Sequence, residues 1–395
     1  MVESPSPWWV ALREAWQDWR NRRIASHQFR RWAAGFWPTR PLARRQAAQL
    51  FDIVAGFVYS QVLLACVRLD LFERLAASGP QRLDELAPAL AFPPRAAERL
   101  LDAAVALRLL ERRSDGRYAL GPLGAAMVGN EAVAAMVEHH AALYADLQDP
   151  VALLRGGGPG PAMSACWPYA AYPGREALGT LDAGAVAAYS ALMTASQSLL
   201  IDEVLDAWPL QRHRVLLDVG GGEGRFVAAA AERAPALRLV LFDLPPVAAL
   251  AQWRLQGLGL AARVQVQGGS FFDDPLPRGA DIATLLRVLF DHDDEHALAI
   301  LRAVHAALPP GGHVLVAEPM ADAPGARAMG DAYFGLYLLA MGRGRPRSAQ
   351  ALGALLRQAG FGGVRALRTR LPLQTGVLVA EVAPVARTAQ SGAPA

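Results

Sequence analysis

Residues Arg214–Gly224, RVLLDVGGGEG, decide the fold. Val215–Val219 is a short apolar run, the pattern of a buried strand. Gly220, Gly222 and Gly224 follow at every second position, with Asp218 just before them. Glycines at this spacing let the backbone turn sharply and let a ligand touch the main chain. A helix over Arg225–Ala234 is expected to start at that ligand, giving a nucleotide-type cradle at the carboxyl end of a first parallel strand. The dinucleotide fingerprint G-x-G-x-x-G requires a third glycine at 225, where the chain has Arg225, so the NAD reading fails there. The pattern present is D-x-G-x-G-x-G. Asp243 ends Leu239–Asp243, the expected second strand, and an acid there can accept both ribose hydroxyls of an adenosine.

From 214 onward strands and helices alternate. Strands are expected at Val215–Val219, Leu237–Asp243, Val264–Gly268, Ile282–Leu286 and His313–Glu318, with helices at Pro246–Leu255 and Asp294–Ala307. Alternation of this kind implies an α/β doubly wound parallel sheet. A helix over Ala349–Ala359 and two strands near Val364–Arg370 and Gly376–Val382 close it. The tail, 384–395, reads as disordered.

The 395 residues suffice for two domains, and 53% hydrophobic with 19% charged is the balance of a folded, rather apolar protein. Net charge is only +3, and every basic residue is Arg. Cys66 and Cys166 make neither a disulfide framework nor a metal set, so a reducing cytoplasm is expected. Glu3 and Pro5 precede any apolar run, which argues against a secretory signal. The apolar run Ile53–Val67 is broken by Gly56, Ser60 and Gln61 and reads as too short to span a bilayer. No metal is expected: His139 and His140 are adjacent and diverge on a helix.

The first 45 residues are an arm dense in Trp and Arg, with Trp9, Trp16 and Trp19 near helical spacing and Arg13 and Arg20 between them. Such an arm suits a membrane interface, where rings sit at headgroup depth and guanidiniums meet phosphates. Packing on the protein's own core or across a dimer reads equally well, and a nucleic-acid arm is a third reading. Residues 46–155 read as a helical domain with segments Leu50–Leu64, Leu71–Ala77, Leu83–Leu90 and Pro94–Leu107. A hairpin over Leu109–Leu120 with an Asp115–Gly116 turn completes a winged helix. Its third helix lacks a run of base-reading side chains, so dimerisation or substrate capping is favoured and no nucleic acid is expected. Residues 156–205 form a linker, with Trp167, Tyr169 and Tyr172 in a loop and a long helix over Ala185–Leu205, and 206–383 form the cofactor domain.

The cradle resembles the cofactor loop of class I S-adenosylmethionine-dependent methyltransferases. Over residues 45–382 the chain resembles the caffeate-type O-methyltransferases, carried by Leu285–Met320 (LLRVLFDHDDEHALAILRAVHAALPPGGHVLVAEPM) and Met341–Ser348 (MGRGRPRS). The resemblance implies a Rossmann-like methyltransferase fold with an N-terminal helical winged-helix dimerisation domain, a homodimer, and S-adenosylmethionine as cofactor. Gly220 and its neighbours would meet the methionine part, Asp243 the ribose, and Phe271 would flank the adenine. Ser270 stands where the family usually has Asp, Leu286 where plant members carry Lys, and Arg287 ends the fourth strand near the cofactor. The two strings are most similar to members that methylate the tertiary C-1 hydroxyl of an acyclic carotenoid.

The departures bear on mechanism. The family's general base is the His of a His-Asp-Trp string, and this chain reads Phe290–Asp291–His292. One of the two acids beside that His matches Glu318; the other falls near Pro346 and is absent. A phenol can lose its proton to a histidine near neutral pH, whereas a tertiary alcohol must release it with or after methyl transfer. Loss of the His therefore fits an aliphatic alcohol, with His292 or Asp291 accepting the proton late and Glu318 buttressing the site. Met329, Tyr333 and Tyr337, within an apolar helix over Met329–Met341, are candidates for the acceptor wall. With the arm they point to a lipophilic acceptor met at a membrane surface, by a cytoplasmic protein peripheral to the inner, photosynthetic membrane. A polyketide, phenolic or bacteriochlorophyll-type acceptor, a non-catalytic cofactor-binding protein, and a DNA-binding regulator stay open as rivals.

Overall fold

The structure, a computed structural model, describes residues 7–156, 160–166, 200–323, 325, 327–370 and 375–383. The loop with Trp167, Tyr169 and Tyr172, most of the expected helix over Ala185–Leu205, and the tail lie outside the described residues. The chain divides into two compact units, Met1–Val128 and Gly129–Ala395.

In the second unit, seven strands form one sheet: β3 (Val215–Val219), β4 (Arg238–Asp243), β5 (Val264–Gly268), β6 (Ile282–Leu286), β7 (His313–Glu318), β8 (Phe361–Leu367) and β9 (Gly376–Val382). Their order is β5-β4-β3-β6-β7-β9-β8, parallel except for β9, which runs antiparallel to both β7 and β8. The expected parallel strands stand where the apolar runs placed them. They are legible because a parallel strand is buried on both faces. Alternation splits β3, β4, β6 and β7 between two cores, while the edge strand β5 gives Val264 and Val266 to one. Leu217, Val219, Val314 and Val316 face one layer with Ile300 and Leu301. Leu216, Leu239, Leu315 and Ala317 face the other, with Phe226 and Ala230.

The parallel order reverses at β3, which has β4 on one side and β6 on the other, so the crevice opens beyond the carboxyl ends of β3 and β6. Ligands bind open α/β sheets at that point.

The first unit begins with helices Pro7–Ala25, His27–Gly35 and Arg40–Arg68. Leu71–Ser78, Leu83–Ala89 and Pro94–Ala106 follow, then the hairpin β1 (Leu110–Arg112) and β2 (Tyr118–Leu120). Leu71, Leu86, Leu101, Leu110 and Tyr118 make its core. Three sequence expectations are corrected. Arg40–Arg68 is one continuous helix across residue 45, so no break separates arm from domain. At 29 residues it is about 43 Å long at 1.5 Å per residue, and by length and composition it could cross a membrane. The breaks at Gly56 and Ser60 do not shorten it, because the Ser60 hydroxyl donates back to the Gly56 and Phe57 carbonyls. Finally, the boundary falls at Val128/Gly129 and not after 155, because helix Glu131–Asp146 packs within the second unit through Leu143.

The arm's tryptophans do not enter a core. Trp8, Trp9, Trp16 and Trp19 are each more than half exposed. Arg20 lies 5.1 Å from the centre of the Trp16 ring, and Arg23 lies 5.6 Å from that of Trp19. Along the next long helix Leu50, Phe51, Ile53, Val54 and Phe57 are also exposed.

Candidate functional site

The cradle is held by backbone geometry that only glycine adopts cheaply. Gly220, Gly222 and Gly224 have φ of 70°, 57° and 79°. A Cβ on Gly220 would stand 2.8 Å from Val288 Cγ2, which locks the loop against the segment after β6. Gly224 opens helix Arg225–Arg233, whose first N–H groups therefore face the crevice.

Two acids stand at the strand ends. Asp243 accepts from Gly222 N through Oδ2 and from Leu244 N through Oδ1, both at 2.7 Å. Burial pushes its carboxyl up to about 6 against those two amides. A carboxylate has about four lone-pair sites, so two stay free for a diol.

Asp218 is buried, and its Oδ1 accepts from the Thr284 hydroxyl at 2.6 Å. Burial pushes this carboxyl up from 3.8 to about 7, the Thr284 hydroxyl pulling the other way. A folded-state pKa above the unfolded one contributes stability below the unfolded value and loses it as pH rises through the folded value. Asn at 218 carries no charge to bury. Asp218→Asn is therefore expected to be more stable than the parent by about 2–3 kcal/mol at pH 8. That is the ~4 kcal/mol the shift represents, less the cost of burying an amide N–H. Urea unfolding of the cofactor-free protein should show the gain shrinking toward pH 4; a pH-independent gain would contradict the burial cause.

Beyond β5, the Ser270 hydroxyl accepts from Phe272 N at 3.2 Å, while Asp274 accepts from Ser270 N at 2.9 Å. Ser270 thus holds its own turn, and Asp274 supplies a carboxylate beside it that the sequence reading missed. The turn presents Phe271 and Phe272, and the His292 ring stands edge-on to both, at 5.7 and 5.5 Å between centroids. Burial lowers His292 to about 4, so it is neutral near pH 7 and weakly basic. The structure places His292 beside the residues expected at the adenine, not beside Met329, Tyr333 and Tyr337.

Residues 287–292 leave β6 in a strained turn. Arg287 has φ 56°, a left-handed conformation that costs a non-glycine residue on the order of 1–3 kcal/mol. Its guanidinium lies 5.6 Å from the centre of the Phe290 ring. Glu318 at the end of β7 is fully buried and accepts from Phe290 N at 3.0 Å. Arg347 donates to the Leu289 carbonyl and to the His292 carbonyl, each at 2.7 Å, and to Asp294 at 2.8 Å. Burial raises Glu318 to about 7, with Arg347 and the loop amides pulling it down. Burial raises Asp291 well above the usual carboxylate range, against Arg287 and with Glu318. Glu318 and Arg347 together grip the turn that carries Phe290. Arg347, one residue past the Pro346 where the second family acid was sought, was missed; an Arg in GRPRS shortly after an apolar helix is its only mark in the sequence.

Phe290 ends in an apolar cluster with Phe334, Tyr337, Leu338, Met341, Leu143 and Met163, against which Met329 and Tyr333 pack. Met329–Met341 is helical as expected, but Ala328–Phe334 is wound as a π-helix before Gly335–Met341 continues as α. A π-turn often marks a functional position. Two polar pairs interrupt this apolar wall. His140 Nε2 lies 2.7 Å from the Tyr333 hydroxyl, and His139 Nε2 lies 3.0 Å from that of Tyr337. The histidines diverge on their helix, and each meets a different one of two tyrosines spaced one turn apart.

A glycine cradle that a Cβ would fill, a strand-end acid with spare acceptor sites and an orphaned Asp218 Oδ2 in the crevice fit an adenosine-bearing cofactor. Comparison with known proteins agrees. Residues 144–362 match the O-methyltransferase domain family, and residues 51–130 match the O-methyltransferase dimerisation domain. The chain belongs to the S-adenosylmethionine-dependent O-methyltransferase family. Among its relatives, demethylspheroidene O-methyltransferase of Cereibacter sphaeroides is 46% identical over 82% of this chain and 84% of that protein. The Rhodobacter capsulatus protein of the same name is 42% identical over 86% and 83%. The crystal structure of human N-acetylserotonin methyltransferase in complex with S-adenosylmethionine superposes with a TM-score of 0.70 at 25% identity, covering 86% of this chain and 98% of that one. This protein is therefore an enzyme that transfers a methyl group from S-adenosylmethionine to oxygen, and it carries a dimerisation domain.

Proposed function

We propose that the acceptor is the tertiary C-1 hydroxyl of an acyclic hydroxycarotenoid, drawn from a membrane surface. The observation that carries this is Phe290 packed among Phe334, Tyr337, Leu338 and Met341 at the position of the family base. A wall of aromatic and thioether groups accommodates a long hydrocarbon. It also leaves out the imidazole that a phenol would use. The identity to two demethylspheroidene O-methyltransferases supports the same acceptor. Asp218, Gly220, Gly222, Gly224 and Asp243 would hold the cofactor with Phe271 along the adenine. Arg287 turns toward Phe290 on the acceptor side.

The membrane contact would be made by the exposed Trp and Arg side chains of Pro7–Ala25, which lie outside the matched dimerisation segment. Sedimentation with anionic vesicles is the check: replacing Trp8, Trp9, Trp16 and Trp19 by Ala should weaken binding at least about tenfold, and high salt should weaken the parent. Equal binding by parent and variant would sink the contact.

For the acceptor, the full chain is given labelled S-adenosylmethionine with demethylspheroidene in detergent, or with a panel of simple phenols. Label in the carotenoid alone is expected. Label in phenols alone would overturn the reading, and cofactor binding without any transfer would favour a non-catalytic protein.

A further inference from the structure

The site contains three groups at or beside the position of the absent family base, and the geometry gives each another partner. His292 is turned toward Phe271 and Phe272. Glu318 holds the backbone of the 288–290 turn. Burial raises Asp291 well above the usual carboxylate range, with Arg287 pulling it down, and so disfavours its charged form.

The acceptor wall offers another route. Tyr333 stands edge-on to Phe334 at 4.9 Å, and Phe334 stands edge-on to Phe290 at 6.1 Å. The tyrosine is therefore one ring away from the position of the absent imidazole. Its hydroxyl is 2.7 Å from His140 Nε2, a short contact for a neutral pair. The π-helical turn over Ala328–Phe334 sets this tyrosine. Helix Glu131–Asp146, which sequence reading assigned to the other domain, brings the histidine.

We propose that Tyr333 and His140 form a proton relay that takes the place of the family histidine in this enzyme. The acceptor oxygen forms its bond to the methyl carbon as the carbon–sulfur bond breaks and that electron pair stays on sulfur. The hydroxyl proton passes to Tyr333 Oη, and the tyrosine's own proton passes to His140 Nε2, which carries its other proton on Nδ1. The positive charge that begins on the sulfonium ends on the imidazolium, so atoms and charge balance with no further reactant.

The resting state suits this. Burial keeps His140 below its usual range, hence unprotonated and able to accept near pH 7. Burial pushes Tyr333 up to about 12, with Arg287 pulling down, so the phenol is protonated and the pair starts neutral. The titratable and charged groups around the relay are His139 on the same helix, Tyr337 on the facing helix, and Arg287 at the end of β6. His139 and Tyr337 form a second pair of the same kind but with a longer contact of 3.0 Å, and serve as the internal control.

The test uses the full-length enzyme with demethylspheroidene, or with whatever acceptor it is found to methylate. Tyr333→Phe and His140→Gln are expected to lower kcat about 10–100-fold at saturating cofactor, a modest share of what general bases contribute because the proton leaves late. S-adenosylmethionine affinity by calorimetry should stay within about twofold. In the parent, kcat should fall on the acid side as His140 gains a proton, at a pH below 6.5; both variants should lose that limb. His139→Gln and Tyr337→Phe should keep it. Turnover within about twofold of the parent for Tyr333→Phe or His140→Gln would overturn the relay. So would a drop in kcat that leaves the acid limb intact, since a merely structural role lowers the rate at every pH alike.

Discussion

Arg347→Ala is expected to lower the free energy of unfolding by about 3–5 kcal/mol and to remove most turnover. The arginine is buried, and its three bonds go to the Leu289 and His292 carbonyls and to Asp294. Truncation removes the side-chain donor from both carbonyls, leaving Leu289 O only the His292 amide at 3.2 Å, and strips Glu318 of its cation. The sign of the pH effect follows from Glu318. Its carboxyl sits at about 7 when folded against 4.5 when free, so its burial is harmless below pH 4.5 and costs progressively more up to pH 7. Without Arg347 the folded value climbs further. The Glu318 part of the gap between parent and variant should therefore be absent below pH 7, where the folded carboxyl is protonated in both, and widen as pH rises through 7. Urea unfolding at pH 5 and pH 8 measures this, with Asp294→Asn as a half-exposed control expected within about 1 kcal/mol. A loss equal at both pH values would mean that the carbonyl bonds matter and the Glu318 charge does not. Turnover should fall with stability because the same bonds fix the turn that holds Val288 against Gly220 and Phe290 in the acceptor wall.

Much of this architecture is legible in the sequence. Val215–Val219, Ile282–Leu286 and His313–Glu318 are apolar runs because both faces of a central parallel strand are covered, whereas the edge strand Val264–Gly268 shows by alternation. The glycines announce positive φ, and Asp243 is placed by strand length alone. The rest depends on contacts distant in sequence. Helix Glu131–Asp146 has no local mark that separates it from the winged helix; its partners lie more than 190 residues on. His139 and His140 were read for a shared metal, a question of one helix face, when each is satisfied by a tyrosine of another helix. Ser270 is expected at the cofactor, and the bond its hydroxyl accepts from the Phe272 amide within its own turn has no mark in the sequence. The apolar stretch within Arg40–Arg68 was judged by its interruptions, although serine and glycine inside a helix need not end it.

Asp243→Ala is expected to weaken S-adenosylmethionine binding at least about 100-fold, roughly 2.7 kcal/mol. The carboxylate has two tasks at once. It accepts from the Gly222 and Leu244 amides at 2.7 Å, which holds the loop in register with β4, and it keeps two acceptor sites toward the crevice. Loss of the loop contacts alone would cost about 1.5–3 kcal/mol per charge-assisted bond in a rigid setting, less where water can replace them. Asn should do better than Ala, since its carbonyl can keep one amide, but its NH2 cannot accept from a diol. The parent has a matching pH signature. Burial sets this carboxyl at about 6, and only the carboxylate accepts two hydroxyls, so affinity should hold above pH 7 and decline as pH falls through about 6. In Asp243→Asn the decline through about 6 should be lost, leaving only what Asp218 contributes near 7. Calorimetry on the parent and both variants between pH 5 and 8 decides it. Parent affinity that stays level as pH falls through about 6 would remove Asp243 from the binding of the ribose, whatever the loop contacts contribute.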